Sequence, residues 1–248
     1  MNKFSLVIIT NNEQLNIERC IRSVPTASEV IVMDSGSTDK TVDLAKSCGA
    51  KVIHQDWLGY GRQKQFAIEQ ATHDWVLLLD ADEFANKELN DSIMKAMTQE
   101  HYKAFHLPIQ EFFMNKVLTR GRGVTDPVRF HRKSCGKINS EEIHEKFETD
   151  APISSLEGYA LHYSATTALD RLKKILRDAE LESKHHHWDI NPGQIFTSSL
   201  RYFFSYLLKK KTYEDGFEGI VLLILYTFQM FIQNVSQYEK KLKKKQVE

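Results

Sequence analysis

Asp80-Ala81-Asp82 closes an apolar run from Trp75 to Leu79 and so sets two carboxylates at the end of a buried strand. Residues two apart on a strand share a face, which lets Asp80 and Asp82 converge on one hard cation or one polar ligand. A metal-bound diphosphate is the natural target, because Mg²⁺ and Mn²⁺ are commonly held by one or two carboxylates while phosphate oxygens complete the shell. The bland alternative is that Asp82 merely opens the next helix. Two more strand ends argue for the ligand. Thr10-Asn11-Asn12-Glu13 comes after Leu6 to Ile9, and Asp34-Ser35-Gly36-Ser37-Thr38-Asp39 comes after Val30 to Met33. Open parallel sheets bind ligands outside the carboxyl ends of their strands, and all three ends here are polar and acid-bearing.

The elements that must position these residues alternate. Short β-branched-rich runs at Leu6 to Ile9, Val30 to Met33, Val52 to Ile53 and Trp75 to Leu79 are separated by helical patterns. That alternation predicts an α/β layer architecture with a mostly parallel sheet. Helices are expected at about Leu15 to Ser23, Thr38 to Ser47 with Gly49 as the stop, Arg62 to Gln70, and from near Asn86 onward with Leu89, Ile93 and Met97 on one face. Ala104 to Pro108 and Val128 to Arg132 read as further strands. The Gly-rich, basic stretch Arg120 to Gly123 between them reads as a mobile lid or an acceptor loop. From Leu169 the pattern turns helical. A boundary near residue 165 is expected, dividing a nucleotide-binding catalytic domain, 1–165, from a helical C-terminal region, 166–248.

Taken together, T-x-N-E after the first strand, D-x-G-S-x-D after the second and D-A-D after the fourth resemble family 2 glycosyltransferases of the GT-A fold. The likeness covers about the first 85 residues. It implies that Thr10, Asn12 and Glu13 line a nucleoside pocket, that Asp34 accepts from a uracil imide and Asp80 reaches the ribose, and that Asp82 holds a divalent cation, Mg²⁺ or Mn²⁺. The chemistry agrees, since uracil offers an N–H that a carboxylate satisfies and a ribose diol suits Asp80. Asp34 and Asp39 could instead cap the following helix, and Gly36 could simply serve the turn. Gly59-Tyr60-Gly61-Arg62-Gln63-Lys64 resembles the family's glycine-and-basic segment at the nucleotide, with Lys64 as the contact or else a solvated helix residue. Lys64-Gln65 stands where the family often has Arg-Asn. The third glycine of a dinucleotide fingerprint is missing.

Inverting transfer needs one general base opposite the leaving diphosphate. Glu141-Glu142-Ile143-His144-Glu145, preceded by Arg129 to Arg132, resembles the lipopolysaccharide-core branch of the family. Glu145 is the expected base and Glu142 the reserve, against an exposed acidic helix start. His162, after the strand-like Tyr159 to Leu161, is placed to complete a divalent site begun by Asp82. His144 could orient a phosphate or the acceptor. His185-His186-His187 reads as solvated surface. The implied reaction moves a sugar, glucose by the resemblance, from a UDP-sugar to a lipid-linked glycan, the heptose of a lipopolysaccharide inner core. Other family 2 chemistry on a cell-surface polysaccharide and a non-catalytic glycan-binding protein are the alternatives. A haloacid-dehalogenase-type phosphotransferase also carries D-x-D, but on its leading strand rather than the fourth.

Lys+Arg equals Asp+Glu at 33 each, so no global field recruits nucleic acid. Three scattered cysteines without a C-x-x-C pair suit neither a disulfide framework nor structural zinc, and a cytoplasmic setting is expected. The first strand opens within four residues without a basic-then-apolar pattern, so a cleaved signal peptide is not expected. The apolar segment Ile220 to Ile232 is shorter than the ~20 residues a span needs, which predicts a buried or interfacial helix. Phe196, Tyr202, Phe203, Phe204, Tyr206 and Leu207 beside Lys209-Lys210-Lys211, with Lys240, Lys241, Lys243, Lys244 and Lys245 further on, suit a surface-lying helix on anionic lipid. Peripheral attachment to the cytoplasmic face of the inner membrane is therefore expected.

Overall fold

The structure is a computed structural model and describes residues 3–141, 145–185 and 189–245. In chain order its elements begin β1 (Phe4–Thr10), α1 (Ile17–Arg22), β2 (Glu29–Asp34), α2 (Thr41–Ser47), β3 (Lys51–His54), α3 (Tyr60–Glu69), β4 (Trp75–Asp80), β5 (Glu83–Ala85) and α4 (Lys87–Ala96). Short strands come next: β6 (Ala104–His106), β7 (Ile109–Phe113), β8 (Lys116–Val117), β9 (Val124–Thr125), β10 (Val128–Arg132), β11 (Lys137–Ile138), β12 (Phe147–Glu148), β13 (Ile153–Ser155) and β14 (Ala160–His162). The chain then turns helical through α5 (Ala168–His185), α6 (Pro192–Phe204) and α7 (Gly216–Lys245).

Two compact units divide the chain. The first is Met1–Ile109 with Thr125–His162, and the second is Gln110–Val124 with Tyr163–Glu248. The first contains a seven-stranded sheet in the order β13-β6-β10-β4-β1-β2-β3. β3, β2, β1 and β4 are mutually parallel, and β10 runs antiparallel between β4 and β6. This is the mostly parallel, helix-flanked sheet that the alternation of short apolar runs and helices predicts.

β1 and β4, in the middle of the sheet, are buried on both faces and so read as continuous apolar runs rather than alternating ones. On one face Val7, Ile9, Met33, Val76 and Leu78 pack under Ala67 and Ile68 of α3 and Ala71 just beyond it. Trp75 and Phe130 stack with ring centroids 4.8 Å apart, and Phe4 meets Phe130 edge-on at 5.9 Å. The alternation along β4 carries Val76 and Leu78 onto the α3 side and turns Asp80 to the same side.

Helix boundaries reflect local chemistry. Asn86 caps α4, its Oδ1 accepting from Leu89 N at 2.9 Å, so Asp82 opens no helix. The second helix starts at Thr41 rather than Thr38, because the segment before it is held by side-chain hydrogen bonds to Asp34, Asn12 and Asp39. α6 opens on a reciprocal capping box between Asn191 and Gln194, with Pro192 in its first turn.

In the second unit the stretch Arg120 to Gly123 is not a free lid. The Asp215 carboxylate accepts from Thr119 N at 3.0 Å, Thr119 Oγ1 at 2.8 Å and Arg120 N at 2.8 Å, which fastens its start. Arg171 and Glu111 form a buried ion pair there. α7 is also longer than its apolar centre suggests. Thr212–Lys243 is long and apolar enough to cross a membrane: an 18-residue segment within it has a mean hydropathy of 1.5, and a third of that segment is buried in the protein.

Candidate active site

Thr10 and Asp34 are register neighbours at the ends of β1 and β2. Asp34 is 4% exposed, and its Oδ2 accepts from the Gly36 and Ser37 backbone N–H groups at 3.0 Å each. Gly36 adopts φ +93°, a conformation that glycine takes without strain. One carboxylate oxygen therefore holds the turn, as the helix-capping alternative anticipated in part. The other oxygen has a different fate: Asp34 Oδ1 and Thr10 Oγ1 are buried with no hydrogen-bond partner among the described residues. An unsatisfied buried acceptor costs about 1–3 kcal/mol, so two of them at adjacent strand tips call for a donor from outside the protein.

The loops around them are cross-linked. Asn12, in the left-handed region at φ 56°, accepts on Oδ1 from Thr38 N at 2.8 Å, and its own N–H donates to Ser37 Oγ at 2.8 Å. Glu13 donates its N–H to Thr41 Oγ1 at 2.8 Å and accepts on Oε2 from Asn16 Nδ2 at 2.7 Å. Asn12 and Glu13 thus tie the loop after β1 to the loop after β2 and shape the cleft edge.

The D-x-D carboxylates do not share one face. β4 ends at Asp80, and Asp82 lies in the turn before β5, so the strand alternation stops between them. Asp80 is held by two cations: Lys64 Nζ lies 3.1 Å from Oδ1, and Arg129 Nη2 donates to Oδ2 at 3.0 Å. Burial alone would raise the Asp80 carboxyl, but Arg129 and Lys64 hold it well below the usual carboxylate range. Burial likewise opposes the Arg129 charge, and Asp80, Glu83 and Glu145 more than offset it. Glu83, 2% exposed, accepts the Asp80 N–H on Oε2 at 2.9 Å. Burial and the neighbouring Asp80 push the Glu83 carboxyl up, with Arg129 pulling the other way.

Lys64 is 2% exposed, which removes the solvated-helix alternative. Its ammonium also donates to Glu145 Oε1 at 2.6 Å, so the expected base and the first D-x-D carboxylate share one cation. α3 holds the β11–β12 hairpin that carries Glu145 at three points. Besides Lys64, Gln65 Oε1 accepts from Ile138 N at 2.8 Å, and the Gly61 N–H donates to Glu141 O at 3.2 Å. A Cβ on Gly61 would sit 2.2 Å from Asn139 O and 2.7 Å from Glu141 O. Glycine is needed there for the hairpin to approach. The Lys64-Gln65 pair that departs from the family's usual Arg-Asn is therefore what anchors the hairpin that carries Glu145. The reserve base Glu142 and His144 lie outside the described residues.

Asp82 meets His162 from far along the chain, Oδ2 to Nε2 at 3.3 Å. Antiparallel pairing of β14 with β5 sets His162 opposite Glu83 and so beside Asp82. Neighbouring ligands of an octahedral ion with bonds of ~2.1 Å lie about 3 Å apart, so this oxygen and nitrogen are spaced as two such ligands. Among the described residues no three of His, Cys, Asp and Glu close on one point. Two protein ligands, with phosphate oxygens and water for the rest, is the usual arrangement for a Mg²⁺-type site on a nucleotide. The residues present fit a divalent cation.

Sequence reasoning missed Arg129, Glu83 and His131 as parts of this cluster. Arg129 and His131 flank buried Phe130 in β10, and charge alternating through a buried strand is the signal that could have found them. His131 is 1% exposed and stacks on Phe147 with centroids 3.8 Å apart. Burial lowers its pKa to about 4, which keeps the imidazole neutral.

The sequence profile described as Glycosyl transferase family 2 matches residues 5–150. An uncharacterized glycosyltransferase of Rickettsia typhi is 33% identical, across 100% of this chain and 90% of that protein. The lipopolysaccharide core biosynthesis glycosyltransferase LpsC of Rhizobium meliloti is 23% identical, across 95% of this chain and 92% of its own length. Among solved structures, glucosyl-3-phosphoglycerate synthase from Mycobacterium tuberculosis, in complex with Mn²⁺, UDP and glucosyl-3-phosphoglycerate, aligns with TM-score 0.37 at 24% identity. That alignment covers 45% of this chain and 44% of the synthase.

Proposed function

Because this chain belongs to glycosyl transferase family 2, with the GT-A fold in its first unit, we propose that it transfers glucose from UDP-glucose, with inversion, to the heptose of a lipopolysaccharide inner core. That it is a glycosyltransferase using a nucleotide sugar follows from the family. The observation that carries the uridine part of this reading is the pair of orphaned acceptors, Thr10 Oγ1 at the tip of β1, which flanks β4, and Asp34 Oδ1 at the tip of β2 beside it. Uracil supplies a ring N–H to a carboxylate, and its removal from water is matched by satisfying an acceptor that is otherwise unpaired. The similarity to the lipopolysaccharide-core enzyme over nearly the whole chain supports the acceptor class.

In this reading Asp34 and Thr10 orient the base of the donor. Asp80, kept ionised by Lys64 and Arg129, is the partner of the ribose diol. Asp82 and His162 hold the divalent cation, which when bound offsets charge on the leaving diphosphate. Glu145 takes the proton of the acceptor hydroxyl as that oxygen attacks the anomeric carbon and UDP departs from the opposite face. Lys64 fixes Glu145 in position and buries its own charge in doing so. The acceptor is lipid-linked, so the reaction takes place at the cytoplasmic face of the inner membrane.

The test is acceptor-dependent UDP release, with UDP-glucose, other UDP-hexoses, Mn²⁺ or Mg²⁺, and lipopolysaccharide cores that end in or lack heptose. Turnover is expected with UDP-glucose and heptose-bearing core, with a β-linked product by NMR. Release from no UDP-sugar would overturn the donor assignment, and equal release with heptose-free core would overturn the acceptor.

A further inference from the structure

α6 turns apolar side chains outward. It buries Ile195 and Ser199, yet Phe196, Leu200, Phe204 and Leu208 are 60%, 57%, 53% and 62% exposed. A helix at a water-facing surface puts its polar residues on the outer side, so four large apolar residues recurring every fourth position is the reverse of that pattern. Exposed apolar residues scattered singly need no explanation, but a repeated line of them does.

Local geometry keeps the line together. In a regular α-helix residues four apart advance by about 40° per step, so a line of four would wind around the helix. At Ser205–Lys209 the chain takes a wider π turn, which rotates less per residue and brings Leu208 back toward Phe196, Leu200 and Phe204. Directly beyond lie Lys209, Lys210 and Lys211, all exposed, with Lys211 Nζ 3.6 Å from Glu214. In the same unit α7 leaves a second line outward, Phe217, Ile224 and Phe228.

We infer that the outward line of α6, ending in Lys209-Lys210-Lys211, seats the helical unit on an anionic phospholipid bilayer, with α6 lying in the plane of the interface. The inference deepens the lipid-linked part of the proposed function and rests on it for its purpose, not for its geometry. Apolar side chains enter the boundary between headgroups and acyl chains, and the lysines meet the negative surface potential. A second copy is the poorer occupant, because two such faces in contact would carry six lysines into one interface. α7 lies on the surface as well rather than crossing. It is built into the unit by buried Gln229, Asn234 and Gln237, by Asn234 Nδ2 donating to Ser198 Oγ at 2.8 Å, and by Lys241 paired with Asp189 at 2.5 Å.

The experiment is flotation of the full chain with phosphatidylcholine vesicles, with or without phosphatidylglycerol, at low and high salt and after alkaline carbonate. The wild type is expected to float with the anionic vesicles, to weaken at high salt, and to be released by carbonate. Lys209→Gln/Lys210→Gln/Lys211→Gln is expected to lower partitioning about fivefold per lysine at low salt. Phe196→Ser/Leu200→Ser/Phe204→Ser is expected to lower it roughly tenfold per side chain on both vesicle types. UDP-sugar hydrolysis without acceptor reports on the first unit and is expected to be unchanged in both variants. Failure of acceptor-dependent UDP release in the wild type with flotation intact would sink the proposed transfer reaction and leave this inference standing. Wild type that stays in the supernatant, floats equally in both variants, resists carbonate, or forms a dimer that the Ser variant dissolves would overturn the inference.

Discussion

Lys64 is the hinge of the proposed site, and its removal has a calculable consequence. Lys64→Met keeps the stem that α3 buries and deletes the ammonium 2.6 Å from Glu145 and 3.1 Å from Asp80. Breaking a fully buried pair from one side costs about 3–5 kcal/mol, because a charge is left in a poorly hydrated place. Here the loss is smaller. Asp80 keeps Arg129 at 3.0 Å, and the Glu145 side chain is 18% exposed, so about 2–3 kcal/mol is expected. Glu145→Gln leaves Lys64 with Asp80 and is expected to cost about 1 kcal/mol. The double variant should be less destabilised than the two singles together, with a coupling of about 1–2 kcal/mol. Urea unfolding monitored by tryptophan fluorescence, compared at constant m, measures all three. Lys64→Arg, which preserves the charge, is expected to recover more UDP release than Lys64→Met. If the two single losses simply add, within about 0.5 kcal/mol, then Lys64 does not hold Glu145 and the placement of the base beside the D-x-D is wrong.

Three further outcomes are expected. Asp34→Asn can keep its turn, since the amide oxygen still accepts from Gly36 and Ser37, but it presents an N–H₂ where a uracil N–H must donate; UDP affinity by calorimetry should fall at least roughly tenfold with little change in melting temperature. Asp82→Asn and His162→Ala should each raise the Mn²⁺ needed for half-maximal UDP binding at least about tenfold, since losing even an outer-shell partner costs that much, and unchanged Mn²⁺ dependence would remove both from the cation site. His131 is neutral in the folded state, with a pKa near 4, and near 6.5 when unfolded, so the unfolded chain binds more protons between those values. Stability should be complete above about pH 6.5 and decline by about 3 kcal/mol as pH falls toward 4, and His131→Leu should flatten that decline.

Much of the catalytic architecture is legible along the chain because it is local. An apolar β-branched run announces a buried strand within five or six residues, and the polar residue at its carboxyl end is the strand tip, wherever the strand sits in the sheet. Thr10, Asp34 and Asp80 could therefore be read as tip residues, and the set of three tips carried the family. Helix starts were less legible. Thr38 looked helical, yet the segment from Asp34 to Thr41 forms a hydrogen-bonded loop, because side chains from the neighbouring loop compete for its backbone.

The surroundings of those tips could not be read locally. Lys64 looked equally suited to solvent or to a nucleotide, and only the packing of α3 against the β11–β12 hairpin buries it between Asp80 and Glu145. His162 reaches Asp82 because β14 pairs with β5 in one register, and a shift of one residue would turn it to the opposite face. Residue type and spacing thus determined the strand tips, the acids that end them and the enzyme family. Tertiary structure decided which charge answers which, since ion pairs between residues 16 to 81 apart depend on strand order and register, and neither leaves a periodic trace in the sequence.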